Sequence, residues 1–486
     1  GTMSEAATLR GRLSHPVIDA DGHWLETGPV VVEALTKIGG DAARRGIQLN
    51  GERVRRSLSM TPEERRHENV PQEAFWGAPT KNTRDRATAM LPALMYERLD
   101  EFGIDYAVLF PTMGLGFPRI DDTEARRALC RAFNVYCAEL FEPFSDRMSP
   151  VAVIPMHDPE EAVAELEHAV GELGLKAVTM NSLIERPVGR VVEERPDASD
   201  LARWFDVIGL DSAHDYDPVW LKCRELGVSP TFHRGSRGKA LRVSPTNFCY
   251  NHIVHFAAAS EATCIALFLG GVSRRFSDLN YGFLEGGVGF ACLLYADLIG
   301  HWQIRNGEAL EYTDPAQLDL SELTELAERY GGPEMIEAVR SGKGISTRNG
   351  TETTGGLAEL DDYSACEIEQ AEDIKSLFVD RFYFGCEADD ATNAWAFNTK
   401  NNPFDAELKT LFGSDVGHFD VQDMAGVLPE AYELVEDEKI TDGDFAHFVF
   451  ENPVRFWGET NPRFFEGTRV AREAQALLAA SPETST

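Results

Sequence analysis

Short apolar runs alternate with longer amphipathic stretches along most of this sequence, and no other feature limits the possible folds as much. Residues 17–20, 106–110 and 148–154 are apolar runs of strand length. Between the third run and the next one at 176–180, apolar side chains recur on one helical face: Ala162, Leu166, Ala169, Val170 and Leu173. A strand, a helix and a strand in this order predict a parallel sheet built from repeated βα units.

The number of apolar runs predicts how such a sheet closes. Further runs at 228–232, 279–284, 381–384 and 410–414 bring the strands to eight, with a long helix expected at about 252–268. Eight parallel strands are the number that a closed barrel of this kind requires. We therefore predict an α/β chain folded as a distorted (β/α)8 TIM barrel with loop and helical insertions.

Composition sets the expected domain boundaries. Three stretches that interrupt the alternation are polar or rich in charge, Gly and Pro, so we expect insertions near 40–90, 183–216 and 305–365. One barrel domain is expected over residues 15–470. Two segments complete the expectation, a tag remnant with a disordered N-terminus at 1–14 and a flexible C-terminal tail at 471–486.

Charge, hydropathy and cysteine content exclude several classes of protein. With 80 acidic and 46 basic residues the chain has a net charge of −34, which repels nucleic acid and anionic membranes. We find neither a run of 18 uncharged apolar residues nor a secretion signal, and the eight cysteines form no CxxC pair. We expect a cytoplasmic enzyme with a small-molecule substrate, without nucleic-acid or membrane partners, that forms a homo-oligomer.

The segment 19–26 combines a carboxylate and an imidazole at the end of the first strand. Asp21 and His23 are separated by two positions, so in a strand their side chains point to the same face and could hold one metal ion together. An ordinary polar strand end followed by a turn would look the same, and this alternative stays open at the level of the octapeptide.

Two other strands end on similar residues. The fifth predicted strand ends at His233, and the eighth is followed by Asp415 and, three positions later, His418. A histidine after a strand is often only hydrogen-bonded, and an aspartate after a serine is often a helix N-cap. His252 and His255 share a face at the start of the helix after His233, which would overhang a barrel mouth, although two surface histidines would fit the pattern equally well.

Taken together, these residues resemble the amidohydrolase superfamily, in the branch that contains aminocarboxymuconate-semialdehyde decarboxylase and the resorcylate decarboxylases, from about residue 17 to 465. That branch usually has His-x-His or Glu-x-His where this chain has Asp21 and His23. The resemblance implies that His233 and Asp415 complete the metal site and that His418 contacts substrate. One departure is Glu285, which stands where the decarboxylases have a histidine before a glycine pair; this change removes a proton shuttle and adds a possible metal ligand.

Residues 283–289 and 297–302 further resemble a long-chain subgroup that includes a dinuclear manganese/iron aminoisobutyrate hydroxylase and the diiron monooxygenase of platensimycin biosynthesis. This resemblance implies an O2-dependent hydroxylase with two ions, Fe and/or Mn. The first ion would be held by the four residues Asp21, His23, His233 and Asp415. The second would be held by Glu285 with His252 or His255. Glu26 and His418 would orient substrate or bridge the ions.

Two other functions remain open. A hydrolase or non-oxidative decarboxylase with one ion, Zn included, would use Asp415 or His418 as its general acid or base. A supporting subunit would pair with an active paralogue in a hetero-oligomer and show no turnover alone.

Overall fold

The computed structural model describes residues 2–74, 77–235, 242–342 and 360–480. Eight parallel strands follow one another in the order β1-β2-β3-β4-β7-β8-β9-β10, and β5 pairs with β6 in a separate antiparallel ribbon. The strands are β1 Ile18–His23, β2 Tyr106–Phe110, β3 Met148–Ile154, β4 Ala177–Met180, β5 Leu183–Pro187, β6 Arg203–Val207, β7 Pro230–Phe232, β8 Tyr281–Phe283, β9 Phe382–Glu387 and β10 Lys409–Gly413.

Two backbone hydrogen bonds just after β10 connect this last strand to β1 and close the barrel. The amide of Asp415 donates to the carbonyl of Asp21 at 2.9 Å, and the amide of His23 donates to the carbonyl of Val416 at 2.8 Å. All residues of β1, β2, β3 and β4 are buried. β2, β3 and β4 are mostly apolar for this reason, whereas β1 buries the polar residues Asp19, Asp21 and His23. The predicted (β/α)8 barrel is confirmed.

Helices occupy most of the chain between the strands. The main α-helices before β7 are Glu5–Arg12, Gly28–Ser59, Pro62–Glu68, Thr83–Met90, Pro92–Phe102, Thr123–Phe141, Pro159–Leu166, Gly189–Glu194 and Asp217–Leu226. Those after β7 are Phe248–His252, His255–Leu269, Val272–Arg275, Gly289–Arg305, Leu320–Tyr330, Pro333–Ser341, Asp373–Phe378, Asn393–Ala396, Val427–Glu436, Asp442–Ala446, Asn452–Gly458 and Ala471–Ala479.

The helix expected at about 252–268 is broken into two. Phe248–His252 ends before Val254, whose φ of 63° lies in the left-handed region and cannot continue an α-helix. By length and composition the span Phe248–Leu269, with a mean hydropathy of 1.5, could cross a membrane, which the sequence patterns above do not predict. Its second helix buries eight residues, among them Thr263 and Leu267, so a core helix of the barrel accounts for the same composition.

Three expected insertions contain regular structure. The stretch 40–90 is largely helical, 183–216 contains the β5–β6 ribbon, and 305–365 contains the helices Leu320–Tyr330 and Pro333–Ser341, with 343–359 outside the described residues. The chain forms two compact units, residues 1–294 with 375–486 and residues 295–374; the barrel belongs to the first.

The two ends of the chain differ from the expectation. Disorder was expected at the N-terminus, but residues 5–12 form a helix, because the Ser4 side chain caps the helix Glu5–Arg12 and this helix buries Ala6 and Leu9. Likewise, most of the expected flexible tail is the helix Ala471–Ala479, which buries Ala474. Residues 481–486 lie outside the described part.

Candidate metal centre

Acidic and imidazole side chains collect where five of the barrel strands end. Asp21 and His23 close β1 and His233 follows β7 directly. A second set lies at the ends of the last three strands: Glu285 after β8, Glu387 at the end of β9 and Asp415 after β10. Because parallel strands all point the same way, these positions meet at the C-terminal mouth of the barrel, where enzymes of this fold carry their active sites.

Four of these side chains form one compact donor group. The candidate ligand atoms of Asp21, His23, His233 and Glu285 lie within 4.8 Å of one another. Glu285 Oε1 is 2.8 Å from His23 Nε2 and 3.0 Å from His233 Nε2, and Asp21 Oδ1 is 3.2 Å from His233 Nε2. Donors about 2.1 Å from a common ion are roughly 3 Å apart, so this spacing fits a shared divalent cation.

Hydrogen bonding in the centre also fits a cation. His23 Nδ1 faces the carbonyl of Pro111 at 3.3 Å and can donate to it, which leaves the Nε2 lone pair for a metal. Within the described residues neither carboxylate oxygen of Asp415 has a hydrogen bond, although this residue is only 1% exposed and its Oδ1 lies 3.2 Å from His23 Nε2. A buried carboxylate without hydrogen bonds is unfavourable unless a cation compensates it.

The backbone at two candidate ligands is strained. Asp415 has a φ of 52° and Glu285 a φ of 60°, so both non-glycine residues adopt the left-handed conformation. This conformation costs on the order of 1–2 kcal/mol for a residue with a Cβ. Such strain is concentrated at functional sites, where the fold holds a side chain in one required direction.

The electrostatics of these side chains favour positive charge at the centre. Burial lowers the pKa of His233, but the carboxylates of Asp21 and Glu285 outweigh it and raise the pKa to about 9. Asp21, Asp415 and Glu285 likewise raise the pKa of His23 against the effect of burial. Burial, reinforced by Glu285, raises the pKa of Glu387 to about 9 and raises the pKa of Asp415. The raised pKa values of both imidazoles reflect the negative charge of the surrounding carboxylates, which would also attract a metal cation.

Two further donor groups adjoin the first. Glu285, Glu387 and Asp415 form one of them, and Asp415, His418 and Asp420 form the other. His418 Nδ1 lies 3.5 Å from Asp415 Oδ2 and 3.8 Å from Asp420 Oδ2. Sequence reasoning missed Glu387 because it ended the predicted strand at residue 384, whereas β9 continues to Glu387. It missed Asp420 although this residue follows His418 by two positions.

Glu26, which was expected to orient substrate or bridge the ions, is hydrogen-bonded to three backbone amides. Its Oε1 accepts hydrogen bonds from the amides of Thr112 and Met113 at 2.9 and 3.0 Å, and its Oε2 accepts one from the amide of Gly114 at 2.6 Å. These amides begin the 3-10 helix Gly114–Arg119, so the carboxylate anchors the loop after β2. Glu26 belongs to none of the three donor groups found among the described residues.

Among the described residues, the structure does not bring Glu285 into one donor group with His252 or His255, the partners expected for it. Glu285 contacts His23 and His233 instead, because its left-handed backbone turns the carboxylate toward the first donor group. His252 Nε2 approaches Asp420 at 3.7 Å, while the His255 ring packs against His252 with centroids 4.7 Å apart. Neither histidine belongs to a donor group in the described part of the chain.

Comparison with known proteins identifies the family. The sequence profile described as Amidohydrolase matches residues 18–332, which is well over half of the chain. The chain belongs to the amidohydrolase family. With its donor groups at the barrel mouth, this amidohydrolase is a metal-dependent enzyme.

Individual relatives are more distant. The decarboxylase orsB of Emericella nidulans is 33% identical over 106 residues, which are 21% of this amidohydrolase and 25% of that enzyme. Amidohydrolase map2389c from Mycobacterium avium subsp. paratuberculosis K-10 is 15% identical with a TM-score of 0.47, covering 92% of this chain and 100% of that one. The 5-carboxyvanillate decarboxylase LigW from Sphingomonas paucimobilis is 14% identical with a TM-score of 0.47, covering 91% and 99%.

Proposed function

We propose that this amidohydrolase is a non-oxidative decarboxylase of a small organic acid that works with one divalent ion. The observation that supports the proposal most is the compact set of nitrogen and oxygen donors formed by Asp21, His23, His233 and Glu285, with Asp415 beside it. The partial match to a decarboxylase agrees with this reaction class, although the matched part is about a quarter of that relative. A carboxylate-rich donor set suits Mn at least as well as Zn.

When bound, the ion would polarise a substrate oxygen and stabilise negative charge that develops as the carboxylate leaves. Asp21, His23, His233 and Glu285 would hold it. Asp415 is the residue best placed to move a proton, because its oxygens have no hydrogen bond in the described residues and its pKa is raised by burial and by Glu285. Asp415 would protonate the carbon from which the carboxylate departs.

The proton that Asp415 gives up stays on the product, and His418 would pass a new proton from solvent to Asp415. Its Nδ1 lies 3.5 Å from Asp415 Oδ2, and its side chain is 20% exposed, whereas that of Asp415 is 1% exposed. It therefore stands between the buried acid and the more open Asp420. In this scheme His418 transfers the proton at the barrel mouth. The resemblance assigns that role to a histidine at the position where this chain has Glu285.

The test measures CO2 release without oxygen. Protein reconstituted with one equivalent of Mn2+ or Zn2+ is incubated anaerobically with a panel of hydroxybenzoic and amino acids. Release of one CO2 per product supports the proposal, and Asp415→Asn should abolish it. The matched control is Asp206→Asn, which changes an equally buried aspartate of the β5–β6 ribbon and should leave turnover in place. Anaerobic hydrolysis without CO2 release would overturn the decarboxylase assignment in favour of a hydrolase.

One observation favours a second candidate, the dinuclear oxygenase. Asp415, His418 and Asp420 provide a further donor group that shares Asp415 with the first set, and His252 lies beside Asp420. Two ions could then share Asp415, with Fe and/or Mn as the metals. Two redox-active ions per chain by elemental analysis, with product formed only when O2 is consumed, would establish this function. A single ion per chain in active enzyme would exclude it.

A further inference from the structure

The seam between β1 and β10 contains a buried carboxylate that the proposed reaction does not use. Asp19 is completely buried, and both of its oxygens are occupied. Its Oδ1 accepts hydrogen bonds from the amide of Asp21 at 3.1 Å and from the amide of Ser414 at 3.0 Å, and its Oδ2 accepts one from the Ser414 hydroxyl. Asp19 therefore has no oxygen left for a metal ion.

These hydrogen bonds act where the strand is irregular. β1 pairs Asp19 with Ala107 but Gly22 with Leu109, so three steps on β1 match two on β2 and the chain bulges at Ala20 and Asp21. A bulge leaves an amide outside the ladder and redirects a side chain, and bulges are frequent beside active sites. At this bulge the Asp19 carboxylate accepts a hydrogen bond from the amide of Asp21.

The same carboxylate fixes the other strand. Ser414 immediately precedes Asp415, and its hydroxyl also accepts a hydrogen bond from the amide of Val416 at 3.1 Å. Asp19 thus contacts Ser414, which precedes the proposed proton donor Asp415, and the amide of the proposed ligand Asp21. The close approach requires Gly22, because a Cβ at this position would lie 2.8 Å from Asp19 Oδ2.

We propose that Asp19, acting with Ser414, is a positioning residue that fixes Asp21, a ligand of the proposed ion, relative to Asp415, the proposed proton donor beside that ion. The inference rests on the metal site of the proposed function but not on the reaction assigned to it. Outer groups that orient metal ligands typically change metal affinity 10- to 100-fold when they are replaced. Replacing Asp19 or Ser414 should therefore weaken metal binding without removing any ligand atom.

The experiment titrates metal-free full-length protein with Mn2+ at pH 8 by calorimetry, and measures urea unfolding of the same samples. Asp19→Asn should weaken Mn2+ binding at least tenfold, and Ser414→Ala at least threefold. The matched control is Asp206→Asn, since Asp206 is also buried and also accepts a hydrogen bond from a serine hydroxyl, that of Ser212 at 2.8 Å. It should lose stability without losing Mn2+ affinity.

The outcomes separate the inference from the proposed metal site. Failure of the wild-type protein to bind Mn2+ or Zn2+ would reject the site itself, and the inference with it. Normal binding by the wild type and unchanged affinity in a folded Asp19→Asn variant would overturn only the inference, as would an equal loss in Asp206→Asn. If Asp19→Asn does not fold, Ser414→Ala decides, because it keeps the backbone hydrogen bond to Asp19; a threefold loss supports the inference and an unchanged affinity overturns it.

Discussion

Lys176 allows a quantitative test of the barrel's packing at the end opposite to the metal centre. This lysine precedes β4, and its Nζ donates to the carbonyl of Phe464 at 2.6 Å. The rings of Phe464 and Tyr106 lie 4.5 and 5.3 Å from Nζ, and no carboxylate of the described residues forms an ion pair with it. Burial alone lowers the pKa of Lys176 from 10.5 to about 8.

The size of the effect follows from that change in pKa. At about 1.4 kcal/mol for each pH unit, a fall from 10.5 to about 8 costs the folded state about 3 kcal/mol below pH 8. Lys176→Met keeps the aliphatic stem and removes this cost, but it leaves the Phe464 carbonyl without its donor, at about 1 kcal/mol. At pH 7 the variant should therefore be more stable than the wild type by about 2 kcal/mol.

The sign of the pH dependence is opposite to that of an ion-paired lysine. Below pH 8 Lys176 is protonated in both the folded and the unfolded state. The difference in the free energy of unfolding between the variant and the wild type is therefore constant in this range. Above pH 8 the folded protein releases the proton while the unfolded chain retains it up to about pH 10.5, so the wild type gains stability relative to the variant. The difference should vanish near pH 9.5 by the same arithmetic, at about 1.4 kcal/mol per pH unit.

The assay is urea unfolding at pH 7, 8, 9 and 10 in EDTA, followed by circular dichroism. Lys222→Met is the matched control, because the Lys222 ammonium pairs with Glu167 and Glu225 at 2.9 and 2.7 Å. Its difference from the wild type should stay constant through pH 9. A constant difference for Lys176→Met from pH 7 to 10 would refute the reasoning, since it would show that Lys176 does not titrate in this range.

Four further predictions concern the metal centre. Glu26→Gln should lower unfolding stability by about 1–3 kcal/mol, because the Gly114 amide loses its acceptor, yet calorimetry should show unchanged Mn2+ affinity. Gly417→Ala, at a φ of 91° with its Cβ 2.2 Å from the His23 carbonyl oxygen, should reduce Mn2+ affinity more than tenfold in the same titration. Mn2+ affinity should rise from pH 6 to 9, because His233, with a pKa of about 9, must lose a proton to bind; a flat profile would contradict this. Asp415→Asn should raise the melting temperature in EDTA, since burial and Glu285 disfavour the charge, and added Mn2+ should stabilise it less than the wild type.

The barrel and the positions of several site residues could be predicted because they depend on local patterns. Strands buried on both faces are apolar runs, and the polar residues that end them meet at one mouth of a parallel barrel. Asp21, His23, His233 and Asp415 stand at such ends, and the structure brings their side chains together. The exact ends of the strands are harder to predict from sequence, and for that reason the sequence analysis missed Glu387.

The roles of Glu285 and Glu26 were decided only by the tertiary structure. Glu285 is 262 residues away from His23 along the chain, and its carboxylate reaches that imidazole because the backbone at residue 285 is left-handed, a conformation that no side-chain pattern indicates. Glu26 is taken up by three amides of a loop 86–88 residues further on. The sequence by itself determined which chemical groups stand at the strand ends; which of them meet depends on backbone dihedral angles and long-range hydrogen bonds, which arise only when the barrel closes.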